Sequence, residues 1–156
     1  MPTRIYTYSE LNTDLLYAIL RLRQQVFVIE QQSIYDDLDN LDQHALHLCW
    51  YNDAPQNLTG YIRLRLLKTD NTLKIERVVV ALSQRGNKVA QGMMEVALQR
   101  AKELGVTKVK LSAQCEVIGF YRQWGFIEHG DVYDDGGIDH RDMVLTLPST
   151  KSVFAD

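Results

Sequence analysis

The sequence has little cysteine and no long apolar run, and both scarcities exclude classes of protein. The two cysteines, Cys49 and Cys115, lack CxxC spacing and stand in no cluster of histidines or cysteines. A zinc site or a disulfide framework is therefore not expected, and both thiols should be reduced. No stretch approaches the roughly 20 apolar residues that cross a bilayer, and the N-terminus lacks the apolar core of a signal peptide. We predict a cytoplasmic protein that binds neither membrane nor metal.

The chain also lacks an excess of basic residues. Seventeen lysines and arginines oppose twenty aspartates and glutamates, for a formal net charge of −3. This balance argues against a general nucleic-acid binder, which normally carries a basic excess, and it suits a cationic or amine substrate better. Among 156 residues, 46% are apolar and 24% are charged, as in soluble globular proteins with one core. We predict a single domain over residues 1–156.

Hydrophobic periodicity predicts alternating strands and helices. The predicted strands are 4–8, 45–52, 59–68, 73–80, 107–113, 126–133 and 138–147, and the predicted helices are 14–28, 88–104 and 116–124. Asn12 or Thr13 can cap the first helix, and Gly105 follows the second helix where a C-cap glycine belongs. The order β α β β β α β α β β defines an α/β (α+β) fold with an antiparallel meander at its centre.

A short basic loop joins strand 73–80 to helix 88–104. Free N–H groups at a helix start bind anions, and nearby cations strengthen the effect. Neither the P-loop pattern GxxxxGK[ST] nor the dinucleotide pattern GxGxxG is present. Residues 85–90, Arg-Gly-Asn-Lys-Val-Ala, instead resemble the acetyl-CoA pyrophosphate loop of the GNAT superfamily of N-acetyltransferases, commonly Arg/Gln-x-x-Gly-x-Gly/Ala. On this loop alone, an ordinary basic helix start fits equally well.

Lys88 departs from that loop pattern because it replaces the first glycine. A left-handed backbone at this position would cost a lysine roughly 1 to 2 kcal/mol. A place in the first helical turn would cost little and would retain the amide. We predict the second arrangement.

Other segments carry the resemblance along nearly the whole chain. Residues 120–126, Phe-Tyr-Arg-Gln-Trp-Gly-Phe, resemble the FYxxxGF signature of the same superfamily and follow the loop by one strand. Residues 22–32, Ala113-Gln114 and the stretch 137–143 closely resemble the ElaA-like branch. Further departures from that branch are Glu116, where histidine is often found, and Asp139, where proline is usual.

The resemblance implies the GNAT acyl-CoA N-acyltransferase fold, a mixed, mostly antiparallel sheet flanked by helices and splayed between its fourth and fifth strands. Acetyl-CoA would enter the gap, with pantetheine along the fourth strand and pyrophosphate on the loop amides. No metal cofactor is implied. The cofactor-binding residues would be Val78, Val79, Val80, Arg85, Gly86, Asn87, Lys88, Val89, Ala90, Gln91 and Gln114.

Acetyl transfer to an amine requires three chemical roles. The amine must be deprotonated, the developing oxyanion needs a donor, and the departing thiolate needs a proton. Tyr121 matches the family tyrosine that faces the thioester sulfur, and a tyrosine of pKa about 10 suits a thiolate of pKa about 8.5. Glu76 matches a carboxylate that often takes the amine proton through water, and an amide near Val79 would serve the oxyanion. Because Arg77 adjoins Glu76, a solvated or paired strand carboxylate is the preferred interpretation of Glu76.

The predicted function is transfer of acetyl from acetyl-CoA to a primary amine of an unidentified small molecule or peptide, by direct attack in a ternary complex. The alternative is a catalytically weak sensor or interaction module that binds CoA or acetyl-CoA with the same fold. Such enzymes are often dimeric, so the resemblance allows a homodimer.

The remaining polar residues receive structural interpretations. The acidic loop, Asp36, Asp37, Asp39 and Asp42, could attract a cationic acceptor, but a solvated face is preferred, and its spacing excludes an EF-hand. Arg63 and Arg65 alternate on one strand face and are expected to point to solvent or an acidic partner. His44, His47 and His140 lack metal-ligand spacing; His47 and His140 match the ElaA-like pattern and could line the acceptor side, although a buried, hydrogen-bonded role is preferred for each.

Overall fold

The computed structural model describes residues 3–148. Its strands are β1 (Thr3–Thr7), β2 (Leu46–Tyr51), β3 (Leu58–Leu67), β4 (Thr72–Val80), β5 (Lys108–Gln114), β6 (Ile127–Asp135) and β7 (Ile138–Thr146). Its α-helices are α1 (Thr13–Arg23), α2 (Val89–Glu103) and α3 (Ile118–Arg122). The predicted elements are therefore present in the predicted order.

The strands form one sheet in the order β1-β2-β3-β4-β5-β7-β6. All neighbours are antiparallel except β4 and β5, which are parallel. This confirms the mixed, mostly antiparallel sheet. The domain boundary 1–156 stays a prediction, since residues 1–2 and 149–156 lie outside the described part.

Side chains alternate between the two faces along the central strands, and both faces of the sheet are covered by helices. On β3, Ile62 and Leu64 face the larger core, which α2 covers with Met93 and Met94. Tyr61 faces the opposite core, which α1 covers. No helix within residues 3–148 combines the length and apolar character needed to cross a bilayer.

Local signals explain the ends of both long helices. The Asn12 side chain accepts a hydrogen bond from the Leu15 amide at 2.8 Å and so caps α1. Gly105 has φ +71° directly after α2, the left-handed conformation that a C-cap glycine adopts without strain. The predicted first helix differs from the observed one, because a π-helical segment, Gln24–Glu30, replaces the α-helix after Arg23.

Candidate active site

The sheet opens between β4 and β5. The two strands pair only over residues 72–75 and 108–111, although β4 continues to Val80 and β5 to Gln114. Beyond the paired region, the edge of β4 that faces β5 has no partner strand within residues 3–148. A cavity of about 560 Å³ lies in this region. The predicted splay is therefore present.

The cavity brings together many, but not all, of the predicted site residues. Its walls come from β4, β5, the β6–β7 hairpin, α3 and residues 26–35. The predicted residues that line it are Glu76, Val78, Val79, Val80, Arg85, Ala90, Gln114 and Tyr121. The predicted residues outside its lining are Gly86, Asn87, Lys88, Val89 and Gln91, all in the loop and first turn of α2.

A β-bulge redirects β4 where it leaves β5. Two residues of β4, Arg77 and Val78, stand opposite one residue of β3, Ile62. Arg77 has φ +56°, a left-handed conformation that costs a side-chain-bearing residue roughly 1 to 2 kcal/mol. Bulges bend a strand and increase its twist. The bulge therefore turns residues 78–80 of β4 away from β5 and helps to hold the cavity open.

Contacts with the acidic loop hold Arg77 in this conformation. Its Nη2 donates to Asp39 Oδ2 at 3.2 Å and to the Asp37 carbonyl at 3.1 Å. Its Nε lies 2.8 Å from Asp37 Oδ1, although the N–H is not aimed at that oxygen. The guanidinium also lies over the Tyr35 ring, 5.4 Å from its centroid. The acidic loop thus fixes the bulge.

Two fully buried arginines, Arg23 and Arg63, also bind the acidic loop. Arg63 donates two hydrogen bonds of 2.8 Å to Asp39, and Arg23 donates two to Asp37, one to Oδ2 at 3.0 Å and one to the carbonyl at 2.8 Å. Both arginines also donate to Asp42 Oδ1, Arg63 at 3.1 Å and Arg23 at 2.7 Å. The prediction of a solvated acidic face is wrong for these three aspartates. Of the two alternatives predicted for Arg63, solvent or an acidic partner, the structure shows the acidic partners. The physical reason is that buried guanidinium groups require carboxylate partners.

Glu76 is paired rather than free. Arg65 Nε donates to Glu76 Oε1 at 2.6 Å, Arg63 Nε donates to the same oxygen at 3.1 Å, and Lys74 Nζ lies 3.6 Å from Oε2. Burial acts to raise the pKa of Glu76, but the hydrogen bond from Arg65 and the three positive charges outweigh it, so the pKa lies below its usual range. These contacts favour the paired-carboxylate interpretation. They also give Arg65 the acidic partner that its pattern predicted.

Tyr121 is a buried residue whose side chain lines the cavity. The side chain is 7% exposed, and its ring meets those of Phe120 and Phe126 edge to face. Its hydroxyl makes no hydrogen bond to any residue within the described range, although the residue lines the cavity. Burial raises the pKa of Tyr121 to about 12, so the phenol carries its proton at neutral pH. A protonated donor is therefore available to a bound group.

The loop before α2 offers backbone donors and two cations, Arg85 and Lys88. Arg85 donates hydrogen bonds to both oxygens of the Glu30 carboxylate, from Nη1 at 2.5 Å and from Nη2 at 2.8 Å. Its Nε donates to the Val80 carbonyl at 3.2 Å. The Asn87 amide donates to the Gln84 carbonyl at 3.3 Å. Within the described range, the other amides predicted to bind pyrophosphate, those of Gly86 and residues 88–91, donate to no backbone carbonyl. Five of the six predicted amides are thus free for an anion.

Lys88 does not adopt the predicted helical conformation. It is the N-cap of α2, with φ 60° and ψ 26°, so the lysine occupies the left-handed region that glycine accepts at no cost. The prediction that Lys88 begins the first helical turn is wrong. The turn between Gly86 and α2 requires this conformation, which explains why glycine is common at this position in the family pattern.

Replacing Lys88 by glycine should raise the free energy of unfolding by about 1 kcal/mol. The change removes strain of roughly 1 to 2 kcal/mol but increases the conformational entropy of the unfolded chain, which costs about 0.4 to 1 kcal/mol. Chemical denaturation of matched variants would measure the difference. Lys88→Ala is the control, because alanine keeps the strain. Equal stabilisation by alanine and glycine would contradict the left-handed assignment.

Two of the remaining predicted polar residues line the cavity, and one is buried on β2. Gln114 lines the cavity and donates from Nε2 to Gln31 Oε1 at 3.2 Å. His47 is buried, with the Tyr61 hydroxyl 2.6 Å from Nδ1 and the Asp42 carbonyl 2.9 Å from Nε2, which confirms its structural interpretation. His140 is half-buried, but it lines the cavity.

Comparison with known proteins identifies the class to which this fold and cavity belong. A family model described as an acetyltransferase (GNAT) domain matches residues 7–147. Protein ElaA of Escherichia coli is 39% identical over 145 residues, which cover 87% of this chain and 90% of that protein. The chain belongs to the GNAT acetyltransferase family. Its resemblance to the ElaA-like branch is confirmed.

Solved structures agree with this assignment. An acyl-CoA N-acyltransferase from Pseudomonas aeruginosa has a TM-score of 0.84 and 34% identity, and the crystal structure of Escherichia coli ElaA has 0.83 and 33%; each match covers 91% of this chain and 97% of the other. An aminoglycoside 6'-N-acetyltransferase complexed with coenzyme A shares the fold alone, with a TM-score of 0.71 and 12% identity over 93% of this chain and 98% of that one. Family and fold together support an acyltransferase role.

Proposed function

We propose that this protein transfers the acetyl group of acetyl-CoA to a primary amine of a small molecule or peptide, by direct attack in a ternary complex. The observation that carries the proposal is the protonated hydroxyl of Tyr121, which lines the cavity of the splayed sheet and has no partner within residues 3–148. A buried proton donor beside an open strand edge suits the departure of a thiolate, which is stabilised when it receives a proton.

The donor side of the cavity suits an acetyl-CoA molecule. Beyond Ile75, the edge of β4 that faces β5 has no strand partner within residues 3–148, so its backbone can pair with the amides of pantetheine as an added strand would. The free amides of Gly86 and residues 88–91 suit the pyrophosphate, since they lie at the N-terminus of α2, where the helix dipole favours anions. An aminoglycoside 6'-N-acetyltransferase with the same fold is complexed with coenzyme A, which supports a CoA donor.

Arg85 must change partner for this binding to occur. Its guanidinium lies in a bidentate pair with Glu30, and both side chains are more than one third exposed. An exposed pair of this kind contributes about 1 kcal/mol or less. A phosphate group can therefore displace Glu30 at small cost, because it accepts the same two parallel hydrogen bonds and carries more charge.

The acceptor must reach the thioester as a free amine. A backbone amide near Val79, in the bulged part of β4, is the proposed donor to the oxyanion. Tyr121 then gives its proton to the sulfur as the carbon–sulfur bond breaks. Glu76 is not a strong candidate to remove the proton of the amine, because its pairing with arginine stabilises the deprotonated carboxylate and weakens it as a base.

Acetyl-CoA should raise the melting temperature of the protein. A ligand that binds only the folded state stabilises it by mass action, by about 2.7 kcal/mol at 100 times its dissociation constant. Adenine alone should produce a far smaller shift in melting temperature. Arg85→Gln should reduce the shift, whereas Arg100→Gln, near the other end of α2, should leave it unchanged. The absence of any shift at millimolar acetyl-CoA would contradict the assignment of the donor.

A further inference from the structure

We propose that His140 is the catalytic base that removes the proton of the acceptor amine, and that its free Nε2 is the atom that receives this proton. The proposal rests on the proposed acetyl transfer to an amine. It is carried by the contacts of one imidazole ring in the cavity and assigns to that ring the role for which Glu76 is poorly suited.

The position of His140 is suitable for a residue that meets the acceptor. It lies on β7 opposite Gln114, at the end of β5 that has left β4. It lines the same cavity as Tyr121. The cavity thus holds a proton donor on α3 and a proton acceptor on β7, which are the two groups that an amine attacking a thioester requires.

The hydrogen bonding of His140 fixes which nitrogen is free. Its Nδ1 lies 2.7 Å from the carbonyl oxygen of Ile138. A carbonyl oxygen only accepts hydrogen bonds, so Nδ1 carries the hydrogen and Nε2 carries the lone pair in the neutral ring. No residue within the described range bonds to Nε2. His47 differs, because both of its nitrogens have protein partners.

Tyr133 orients the ring of His140. The two rings stack with centroids 6.1 Å apart and planes at 24°. The Tyr133 hydroxyl donates to Asp142 Oδ1 at 2.6 Å and also contacts the Ser112 hydroxyl. Burial, together with the hydrogen bond to Asp142, raises the pKa of Tyr133 to about 12. Tyr133 therefore stays a neutral phenol and acts as a positioning residue.

Other titratable and charged groups share the cavity with His140. They are Tyr35 from the acidic loop, Lys74, Glu76 and Arg77 from β4, Arg85 from the following loop, Tyr121 from α3, and Tyr133 and Asp135 from β6. Glu76, Arg77 and Arg85 have ion-pair partners. Asp135, exposed at the end of β6, is the rival base that an experiment must separate from His140.

The step balances with two protein groups. The amine nitrogen forms a bond to the acetyl carbon, and the proton that it loses goes to His140 Nε2. The carbon–sulfur bond breaks, and Tyr121 gives its proton to the sulfur. The imidazolium then releases its proton to solvent and the Tyr121 phenolate takes one from solvent. Amine and thioester become amide and thiol, with no oxidant, reductant or further reactant.

The test compares His140→Gln with two matched variants, His129→Gln and Asp135→Asn. His129 is exposed on β6 and lies outside the cavity lining. With the best amine acceptor, His140→Gln should lower kcat by on the order of 10²-fold and leave the acetyl-CoA shift in melting temperature unchanged. The acidic limb of its kcat/KM profile should disappear, and both control variants should keep that limb. Added imidazole should restore part of the turnover of His140→Ala.

A measurement on the wild-type protein tests the base assignment even if the variants fail to fold. The acidic limb of kcat/KM should shift with temperature as imidazole ionisation does, whereas a limb due to a carboxylate would hardly move. A temperature-independent limb, unchanged kcat in His140→Gln, or loss of the limb in Asp135→Asn would overturn the base assignment and leave the proposed function intact. Wild-type protein that binds acetyl-CoA but acetylates no amine would overturn both.

Discussion

Replacing Tyr121 by phenylalanine is expected to lower kcat by on the order of 10²-fold or more, while acetyl-CoA affinity and thermal stability change little. The aromatic ring and its contacts with Phe120 and Phe126 remain, so the packing of the core is retained. The hydroxyl has no hydrogen-bond partner within the described residues, so its removal leaves no buried group unsatisfied. Only the proton for the departing thiolate is lost.

The measurement needs kcat and melting temperature from the same preparation. Tyr17→Phe is the matched control, because Tyr17 is exposed on α1 and outside the cavity lining; it should keep full turnover. If the Tyr121 hydroxyl instead stabilised the fold, its removal would cost about 1 to 3 kcal/mol with little effect on the turnover of the folded fraction. Full turnover in a stable Tyr121→Phe variant would contradict the role of Tyr121 as an acid.

Replacing Arg63 by methionine is expected to lower the free energy of unfolding by about 3 to 5 kcal/mol, or the melting temperature by roughly 10 °C. The side chain is fully buried and bonds to Asp39, Asp42 and Glu76. Its removal leaves buried carboxylates with fewer positive partners, and buried uncompensated charge is the costly outcome. Loss of Asp39 contacts should also release the loop that holds Arg77.

Arg65→Met is the matched control two residues along the same strand. Arg65 also pairs with Glu76, but its side chain is 20% exposed and its only acidic partner in the described range is that carboxylate. Arg65→Met should lower the free energy of unfolding by about 1 kcal/mol, as the loss of a partly solvated pair does. Urea denaturation of both variants gives the comparison. Equal and small losses would contradict a structural role for the buried arginine network.

The fold was predictable because its signals are local. Alternation and helical spacing located the strands and helices, and Asn12 and Gly105 marked two helix ends with groups that the structure uses. The π-helical segment escaped prediction because residues after Arg23 continue the apolar face of α1, with Val26 buried. The length of a helix was readable from periodicity, whereas its hydrogen-bonding pattern was not.

The backbone of the site was harder to predict than its chemistry. Arg77 and Lys88 both have positive φ, where sequence rules look for glycine or asparagine. Asn40 and Asn71 follow those rules. The bulge at Arg77 depends on Asp37 and Asp39, some forty residues earlier in the chain, and no local pattern signals such a contact. Tertiary contacts thus stabilise the departure at Arg77.

The partners of the acidic loop could not be predicted from the sequence either. Its aspartates resemble a solvated charge run in sequence, and the arginines that bury them come from α1, β3 and β4. His140 carried one signal, its match to a family pattern, but its free Nε2 became visible only with the Ile138 contact. Residue types were readable from the sequence, and their partners were not.

Amine-dependent thiol release tests the central claim most directly. Acetyl-CoA would be incubated with a panel of polyamines, amino acids and peptides with free N-termini, and free CoA and acetylated product would be measured together, the product by mass spectrometry. The proposed function predicts thiol release that depends on at least one amine, with one acetylated amine formed for each CoA released, and a strong loss in Tyr121→Phe. Acetyl-CoA binding without amine-dependent release from any member of the panel would contradict it and favour a CoA-binding sensor module.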